Sequence, residues 1–140
     1  MTTPLSERLR RFLVDKHFLT IATVDPDGSP RQAVIWYAVD GDDLIVNSAV
    51  GRRWPANLVL DGRVSGAITD HADGYRWVGL TGTAIPVTDQ PTAQADIAAM
   101  ARFYHDDDPS EAEQLIASRF QHQERISFRV RIDAIYDHLD

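Results

Sequence analysis

The 140-residue sequence contains no cysteine, no long apolar run and no excess of basic residues. Without cysteine, disulfides, thiolate chemistry and cysteine-ligated metal sites are excluded. No apolar run approaches the roughly 20 residues that a transmembrane helix needs, and the N-terminal segment lacks the apolar stretch of a signal peptide. We therefore expect a cytoplasmic protein without a membrane segment.

The chain is acidic, with a formal net charge of −7 at pH 7. A nucleic-acid-binding domain normally carries a basic surface, so we expect no nucleic-acid partner. If the ligand is an anion, a local group of arginines has to overcome the repulsion of the whole chain. A length of 140 residues with 44% hydrophobic residues is typical of one domain, which we place over residues 1–140.

Recognised catalytic and metal-binding motifs are also missing. The five histidines are scattered without a metal-ligand spacing, so we expect surface or structural roles for them and no metal site. No P-loop, nucleophile elbow or Rossmann fingerprint is present. These gaps leave nucleophilic and metal-assisted hydrolysis without their usual residues, and no catalytic side chain is assigned from the sequence.

Hydrophobic periodicity and turn residues predict a mainly β chain with flanking helices. The pairs Asp27-Gly28 and Asp40-Gly41 mark turns after the first and second strands. The clearest strand is the last, where the apolar residues Ile126, Phe128, Val130 and Ile132 alternate with polar ones. The six predicted strands span residues 18–25, 31–39, 44–48, 63–69, 75–87 and 125–135.

The helical segments have recognisable start signals. Ser6 is predicted to cap the first helix, and Pro55 fits the first turn of a short second helix. For the last helix, Ser110 is predicted as the N-cap, with Glu113 completing a capping box. The predicted helices span residues 6–16, 51–60, 92–104 and 110–121.

One segment, SAVGRRWPANL over residues 48–58, carries the strongest chemical signal. Arg52 and Arg53 are adjacent there, and the start of the short helix follows them. Guanidinium groups and free backbone N–H groups both bind phosphate. The residues alone leave open the alternative that both arginines are solvated surface residues.

The order of these segments resembles the split β-barrel flavin and deazaflavin oxidoreductases of the pyridoxamine 5′-phosphate oxidase-like group. The similar stretches are TIATVDPDGSPRQAVIWY, LIVNSAVGRRWPANLVLDGRVSGAI and GYRWVGLTGTAIPV, which cover about half of the chain. The resemblance implies a six-stranded antiparallel split β-barrel of the α+β class, FMN-binding-like, that forms a homodimer with cofactor sites between the subunits. The chain is most similar to the branch that uses coenzyme F420, a deazaflavin.

The resemblance also implies which residues form the cofactor site. Arg52 corresponds to the family's phosphate-binding arginine, and Asn57 to an asparagine that packs the same segment. Where deazaflavin binders commonly have a lysine, two residues after that arginine, this chain has Trp54. The implied cofactor-binding residues are Ala33, Val34, Ile35, Trp36, Ser48, Arg52, Arg53, Asn57 and Trp77.

The implied reaction is hydride transfer between F420 and a small electrophilic organic acceptor. Two alternatives stay open: an FMN-dependent oxidoreductase on the same fold, and a non-catalytic protein that binds a flavin or haem. Because the cofactor supplies the difficult chemistry, such an enzyme needs no conventional acid–base residue. Tyr37 and Tyr75 are the candidates for a proton donor.

Overall fold

The computed structural model describes residues 3–140, which form seven strands, four α-helices and one 3-10 helix. Met1 and Thr2 of the predicted domain lie outside the described residues. The strands are β1 (Phe18–Val24), β2 (Pro30–Ile35), β3 (Ala38–Asp40), β4 (Asp43–Ala49), β5 (Arg63–Thr69), β6 (Trp77–Val87) and β7 (Arg125–His138). The helices are α1 (Glu7–Leu13), α2 (Arg53–Leu60), α3 (Gln90–Tyr104) and α4 (Pro109–Ser118), and the 3-10 helix is Phe120–His122.

All seven described strands belong to one antiparallel sheet in the order β2-β1-β5-β6-β7-β4-β3. The two edge strands, β2 and β3, follow each other in the chain, with only Trp36 and Tyr37 between them. Three Cα steps span at most about 11 Å, so the opposite edges of the sheet meet here. The sheet therefore curls into a barrel that the chain itself closes, which is the predicted split β-barrel.

The predicted second strand, residues 31–39, is two strands in the structure. At the break, Tyr37 is 3% exposed, and its hydroxyl donates to the backbone carbonyl of Leu13 at 2.7 Å. Trp36 stacks on Tyr104 of α3, with the ring centroids 5.0 Å apart. Two consecutive aromatic side chains thus pack against different helices. The backbone leaves the pairing of β2 with β1 at this point and enters the pairing of β3 with β4. The sheet has seven strands rather than six for this reason.

The main core fills the barrel. The apolar face of β7 predicted from its alternation, Ile126, Phe128, Val130 and Ile132, is buried there. Trp54 of α2 packs on Phe128, with 6.2 Å between the ring centroids. The indole is therefore part of the barrel core.

A second apolar cluster lies outside the barrel, where α3 packs on β7 and β4 and α4 packs on α3. Its buried residues are Ile97, Ala98, Met100, Ala101, Tyr104, Ala112, Ile116 and Phe120. Because α3 lies over this part of the sheet, Arg125 and Ser127 are buried although they belong to the polar face of β7. The start of β7 thus carries buried polar groups between two apolar clusters.

The helix starts agree with the sequence prediction at α1 but not at α4. The Ser6 hydroxyl caps α1 by accepting a backbone N–H of the first turn. In α4 the N-cap is Asp108 rather than Ser110, so the predicted capping box with Glu113 is wrong. Pro109 suits the first helical position because its ring fixes φ and its missing N–H has no partner there anyway. Within residues 3–140, no helix combines the length and the apolar composition needed to span a bilayer.

Candidate functional site

A cavity of about 280 Å³ lies between β2, the N-terminus of α2, α3 and the start of β7. One wall is apolar and aromatic, and the other is cationic. The residues that line it are Phe18, Val34, Ile35, Trp36, Asn47, Arg52, Ile97, Arg119, Phe120, Gln123 and Arg125. Carboxylate, imidazole, thiol and hydroxyl groups are absent from these lining residues, so the cavity offers positive charge, amides and apolar surface but no ordinary general acid or base.

The cationic wall contains arginines that lack acidic partners. The chain has fourteen lysine and arginine residues, all of them within the described range. Ten of them have a carboxylate oxygen within 4.0 Å. The other four are Arg11, Arg52, Arg119 and Arg125, and three of these four line this one cavity. We call it the arginine cavity.

Arg125 is the most buried of the three, at 5% exposure. Its Nε donates to Oδ1 of Asn47 at 3.0 Å, and its Nη1 donates to Oε1 of Gln123 at 2.6 Å. The guanidinium carbon lies 4.9 Å from the centroid of the Phe120 ring. Burial, and then the positive charge of Arg52, lower the pKa of Arg125 to about 10. Its partners satisfy hydrogen-bond donors but supply no negative charge.

Arg52 is exposed beside the cavity and is the N-cap residue of α2. Its carbonyl accepts the N–H of Ala56 at 3.3 Å, and no side-chain hydrogen bond caps the helix. The first N–H groups of a helix lack intrahelical partners, and the helix dipole adds partial positive charge there. Arg52 and the start of α2 therefore add positive potential to that of Arg125.

Four of the nine predicted cofactor residues meet at this cavity. Val34, Ile35 and Trp36 form the wall from β2, and Arg52 lies across from them. Val34 is 70% exposed, which is unusual for an aliphatic side chain beside an aromatic one and leaves it free to contact a ligand. The structure thus brings these four residues together, and their contact with a cofactor ring and phosphate stays a prediction.

Three other predicted residues, and the residue at the lysine position, lie elsewhere. Ala33 packs against the barrel core, and the Ser48 hydroxyl is buried and donates to the carbonyl of the next residue at 3.1 Å. Trp77 stacks on His138 at 4.1 Å between centroids. Trp54 is a core residue at 6% exposure, so the side chain at the lysine position does not line the cavity.

Arg53 and Asn57 belong to a separate group of side chains around Asp25, which we call the Asp25 cluster. Asn57 is 1% exposed and its Nδ2 donates to Oδ1 of Asp25 at 2.7 Å and to Oγ1 of Thr23 at 3.1 Å. The guanidinium of Arg31 donates to both carboxylate oxygens of Asp25, and Arg53 lies 3.7 Å from one of them. The hydrogen bonds from Arg31 and Asn57 lower the pKa of Asp25 to about 2. Asn57 is therefore a buried residue that links α2 to β1, and it does not line the arginine cavity.

Sequence reasoning missed the second half of the cationic wall. Arg119 and Arg125 come from the C-terminal part of the chain and reach Arg52 because β4 pairs with β7, with Ala49 opposite Arg125. Arg125 was visible as a polar residue of the alternating strand, but alternation does not show that α3 covers it.

The proposed proton donors are not at the cavity. Burial raises the pKa of Tyr37 above its ordinary value, and its hydroxyl is bonded within the core. Tyr75 is 92% exposed in the connection before β6. Among residues 3–140, no group of three or more acidic, histidine or cysteine side chains is arranged to hold a metal ion.

Comparison with known proteins places this chain in a family. The family model of pyridoxamine 5′-phosphate oxidase matches residues 5–138. The chain belongs to this family. A search of curated proteins finds no match.

Several solved structures share the fold. An F420 reductase superposes with a TM-score of 0.73 at 23% identity, covering 94% of this chain and 98% of its own. A conserved hypothetical protein from Mycobacterium tuberculosis gives 0.77 at 20% identity, covering 98% and 87%. HutZ, the haem storage protein from Vibrio cholerae, gives 0.71 at 19% identity, covering 96% and 95%. At these identities the likeness shows the split-barrel fold alone.

Proposed function

We propose that this protein is an F420-dependent oxidoreductase that transfers a hydride between bound deazaflavin and a small electrophilic organic acceptor. The observation that supports it is the arginine cavity, where three arginines without carboxylate partners face an aromatic and aliphatic wall. Guanidinium groups suit a phosphate, and an apolar wall suits a flat ring. Family membership supports a cofactor-binding split barrel, and the resemblance of residues 18–87 to the F420 branch supports the choice of coenzyme.

In this proposal the chain binds and orients, and the deazaflavin supplies the hydride chemistry when bound. Arg52, Arg119 and Arg125 would hold its phosphate-bearing tail. Val34 and Trp36 would hold the ring on the β2 wall and keep water from that face. Because no lining residue is an acid or base, the chain accelerates the reaction by holding ring and acceptor in a reactive geometry.

A homodimer, the second part of the proposal, is supported by the outer face of the barrel. Three adjacent rows of this face contain no Asp, Glu, Lys or Arg, two of them across strands β2, β1, β5, β6 and β7 and the third across β1, β5, β6 and β7, although a quarter of all residues are charged. The rows are Val34-Thr20-Ala67-Gly79-Tyr136, Gln32-Ala22-Ser65-Thr81-Ala134 and Phe18-Thr69-Trp77-His138.

This outer face continues into the arginine cavity, because Phe18 and Val34 belong to both. Phe18, Val34 and Tyr136 remain 44%, 70% and 52% exposed. A second copy seated on the face would bury these side chains and wall off the open side of the cavity. Trp77, which lies away from the cavity of its own chain, could then approach the partner's cofactor.

The experiment equilibrates the purified full chain separately with F420, FMN and haem, and measures each dissociation constant by absorbance. We expect the tightest binding for F420, followed by oxidation of reduced F420 only when an electrophilic acceptor is added. Tighter binding of FMN would favour the flavin alternative on the same fold. Binding without acceptor-dependent turnover would favour a carrier, and the fold shared with the haem storage protein makes haem the carrier ligand to test. Failure to bind any of the three would contradict the proposal.

The dimer has its own test, in which Thr20→Arg places a charge in the middle of the uncharged face. We expect sedimentation to show a dimer for the wild type and a monomer for this variant, with weaker F420 binding by the monomer. Gln114→Arg adds the same charge on the exposed face of α4 and serves as the control. A wild-type monomer that binds F420 fully would remove the dimer from the proposal. The predicted cytoplasmic location stays a prediction.

A further inference from the structure

Arg125 is a buried positive charge that no carboxylate of the described residues neutralises. Charged side chains are rarely buried without an opposite charge, because desolvation costs several kcal/mol. Arg125 is 5% exposed, has no carboxylate within 4.0 Å among the described residues, and lies close enough to Arg52 to be repelled by it. Its hydrogen-bond path reaches an acid, Asp96, only through Asn47 and Ser127.

The surrounding amides fix Arg125 in place without neutralising it. The side chain of Gln90 accepts the backbone N–H of Arg125 at 3.0 Å and donates to its carbonyl at 2.7 Å. Asn47, which accepts from the guanidinium, is itself anchored by a 2.8 Å bond to the carbonyl of Ala93. A buried cation held by neutral dipoles is prepared for an external anion, since little reorganisation is needed when the anion arrives.

We infer that Arg125 is the buried contact for the ligand's anionic group, and that the cavity selects ligands with at least two negative charges. We expect at least two negative charges on the ligand because Arg52 and Arg119, which also lack acidic partners, line the cavity together with Arg125. A single monovalent anion would leave most of this positive charge unbalanced. The inference takes the location of the site from the proposed function, but it requires only a polyanion and not a flavin.

Inorganic pyrophosphate and nitrate, titrated into the full chain by calorimetry, test the inference. We expect saturable pyrophosphate binding and at least about tenfold weaker binding of nitrate. Arg125→Gln removes the charge and should weaken pyrophosphate binding about 10- to 100-fold, with a smaller loss for Arg119→Gln. Arg11→Gln is the matched control, because it removes an arginine that also lacks an acidic partner but lies outside the cavity.

Gln123→Glu keeps the inference testable if Arg125→Gln fails to fold. Gln123 already accepts from Arg125 at 2.6 Å through Oε1. The isosteric carboxylate would neutralise Arg125 within the chain, so we expect at least about tenfold weaker pyrophosphate binding and an unchanged or higher unfolding temperature. Each variant lowers the net charge by one, as the Arg11→Gln control does.

The results separate this inference from the proposed function. Pyrophosphate affinity that is unchanged in Gln123→Glu and Arg125→Gln, or no stronger than that of nitrate in the wild type, overturns the inference. If F420 or FMN nevertheless binds, the proposed function survives alone. If pyrophosphate binds and depends on Arg125 while no flavin or deazaflavin binds, the anion site stands and the coenzyme assignment fails.

Discussion

Arg52 and Arg53 are adjacent in the chain, yet they belong to two regions with opposite electrostatics. Arg53 turns toward the Asp25 cluster, where a carboxylate accepts hydrogen bonds from Arg31 and Asn57. Arg52 turns toward the arginine cavity, where the neighbouring charges are two more arginines. One region contains its own counter-charge, and the other lacks it.

The pKa shifts express this difference. In the Asp25 cluster the pKa of Asp25 falls and that of Arg31 rises, mainly through their mutual hydrogen bond, so both charged forms are stabilised. In the arginine cavity the pKa of Arg125 falls, through burial and the charge of Arg52, so its charged form is destabilised. Compensated charges of this kind hold a fold together, whereas uncompensated ones indicate a site for a ligand. Substitutions in the two regions should accordingly affect different measurements.

The largest expected effect is on the stability of the Asp25 cluster. Asn57→Ala removes a fully buried amide that donates to Asp25 and Thr23, and it leaves a small cavity. We expect the free energy of unfolding to fall by about 2–4 kcal/mol. Urea denaturation followed by circular dichroism measures it. Loss of cofactor binding at full stability would instead place Asn57 in the site.

The next effect is on binding at the arginine cavity. Arg52→Ala should weaken binding of the phosphate-bearing cofactor by about 1.5–3 kcal/mol, because one charge-assisted hydrogen bond is lost. The free energy of unfolding should change by less than about 0.5 kcal/mol, since Arg52 is exposed and has no acidic partner. Titration and urea denaturation of the same preparation give both values. Unchanged affinity for F420 and FMN would remove Arg52 from the site.

Local patterns were sufficient for most of the fold. The turns at Gly28 and Gly41 have positive φ values of 89° and 63°, as their Asp-Gly pairs predict. The alternation of β7 identified its core face correctly. The break at Trp36 and Tyr37 could not be predicted, because it depends on helices that pack against these rings from distant parts of the chain.

The sequence predicted only the part of the candidate site that comes from neighbouring segments of the chain. Arg52 and the β2 wall follow from one resemblance over neighbouring segments. Arg119 and Arg125 join them through strand pairing and helix packing, and nothing near them in sequence indicates a ligand. The assignment of Arg53 to the cofactor site stays a prediction, and the sequence did not indicate that Asp25, which lies before β2, would be 3.7 Å from its guanidinium.

The titration of Asp25 should show a smaller effect, which can be assigned to a single side chain. Its pKa of about 2 in the folded chain lies below the ordinary 3.8, so its contribution to stability is complete above about pH 4 and is lost as the pH falls toward 2. Carbon-13 NMR of the carboxyl group measures the midpoint. Arg31→Gln should raise this midpoint more than Arg53→Gln does, because Arg31 donates hydrogen bonds and Arg53 lies 3.7 Å away. Equal shifts in the two variants would contradict the geometry.

The smallest effect should come from Arg53→Ala. The side chain is 58% exposed and its pair with Asp25 is long, so the pair contributes no more than about 1 kcal/mol. Arg53 is also the first residue of α2, where a cation opposes the helix dipole by about 0.3–1 kcal/mol. Its removal should therefore leave both the free energy of unfolding and the cofactor affinity nearly unchanged, as the same titrations and urea denaturation would show. If Arg53→Ala weakened the cofactor as much as Arg52→Ala does, both arginines would serve the ligand, and the division between the two regions would be wrong.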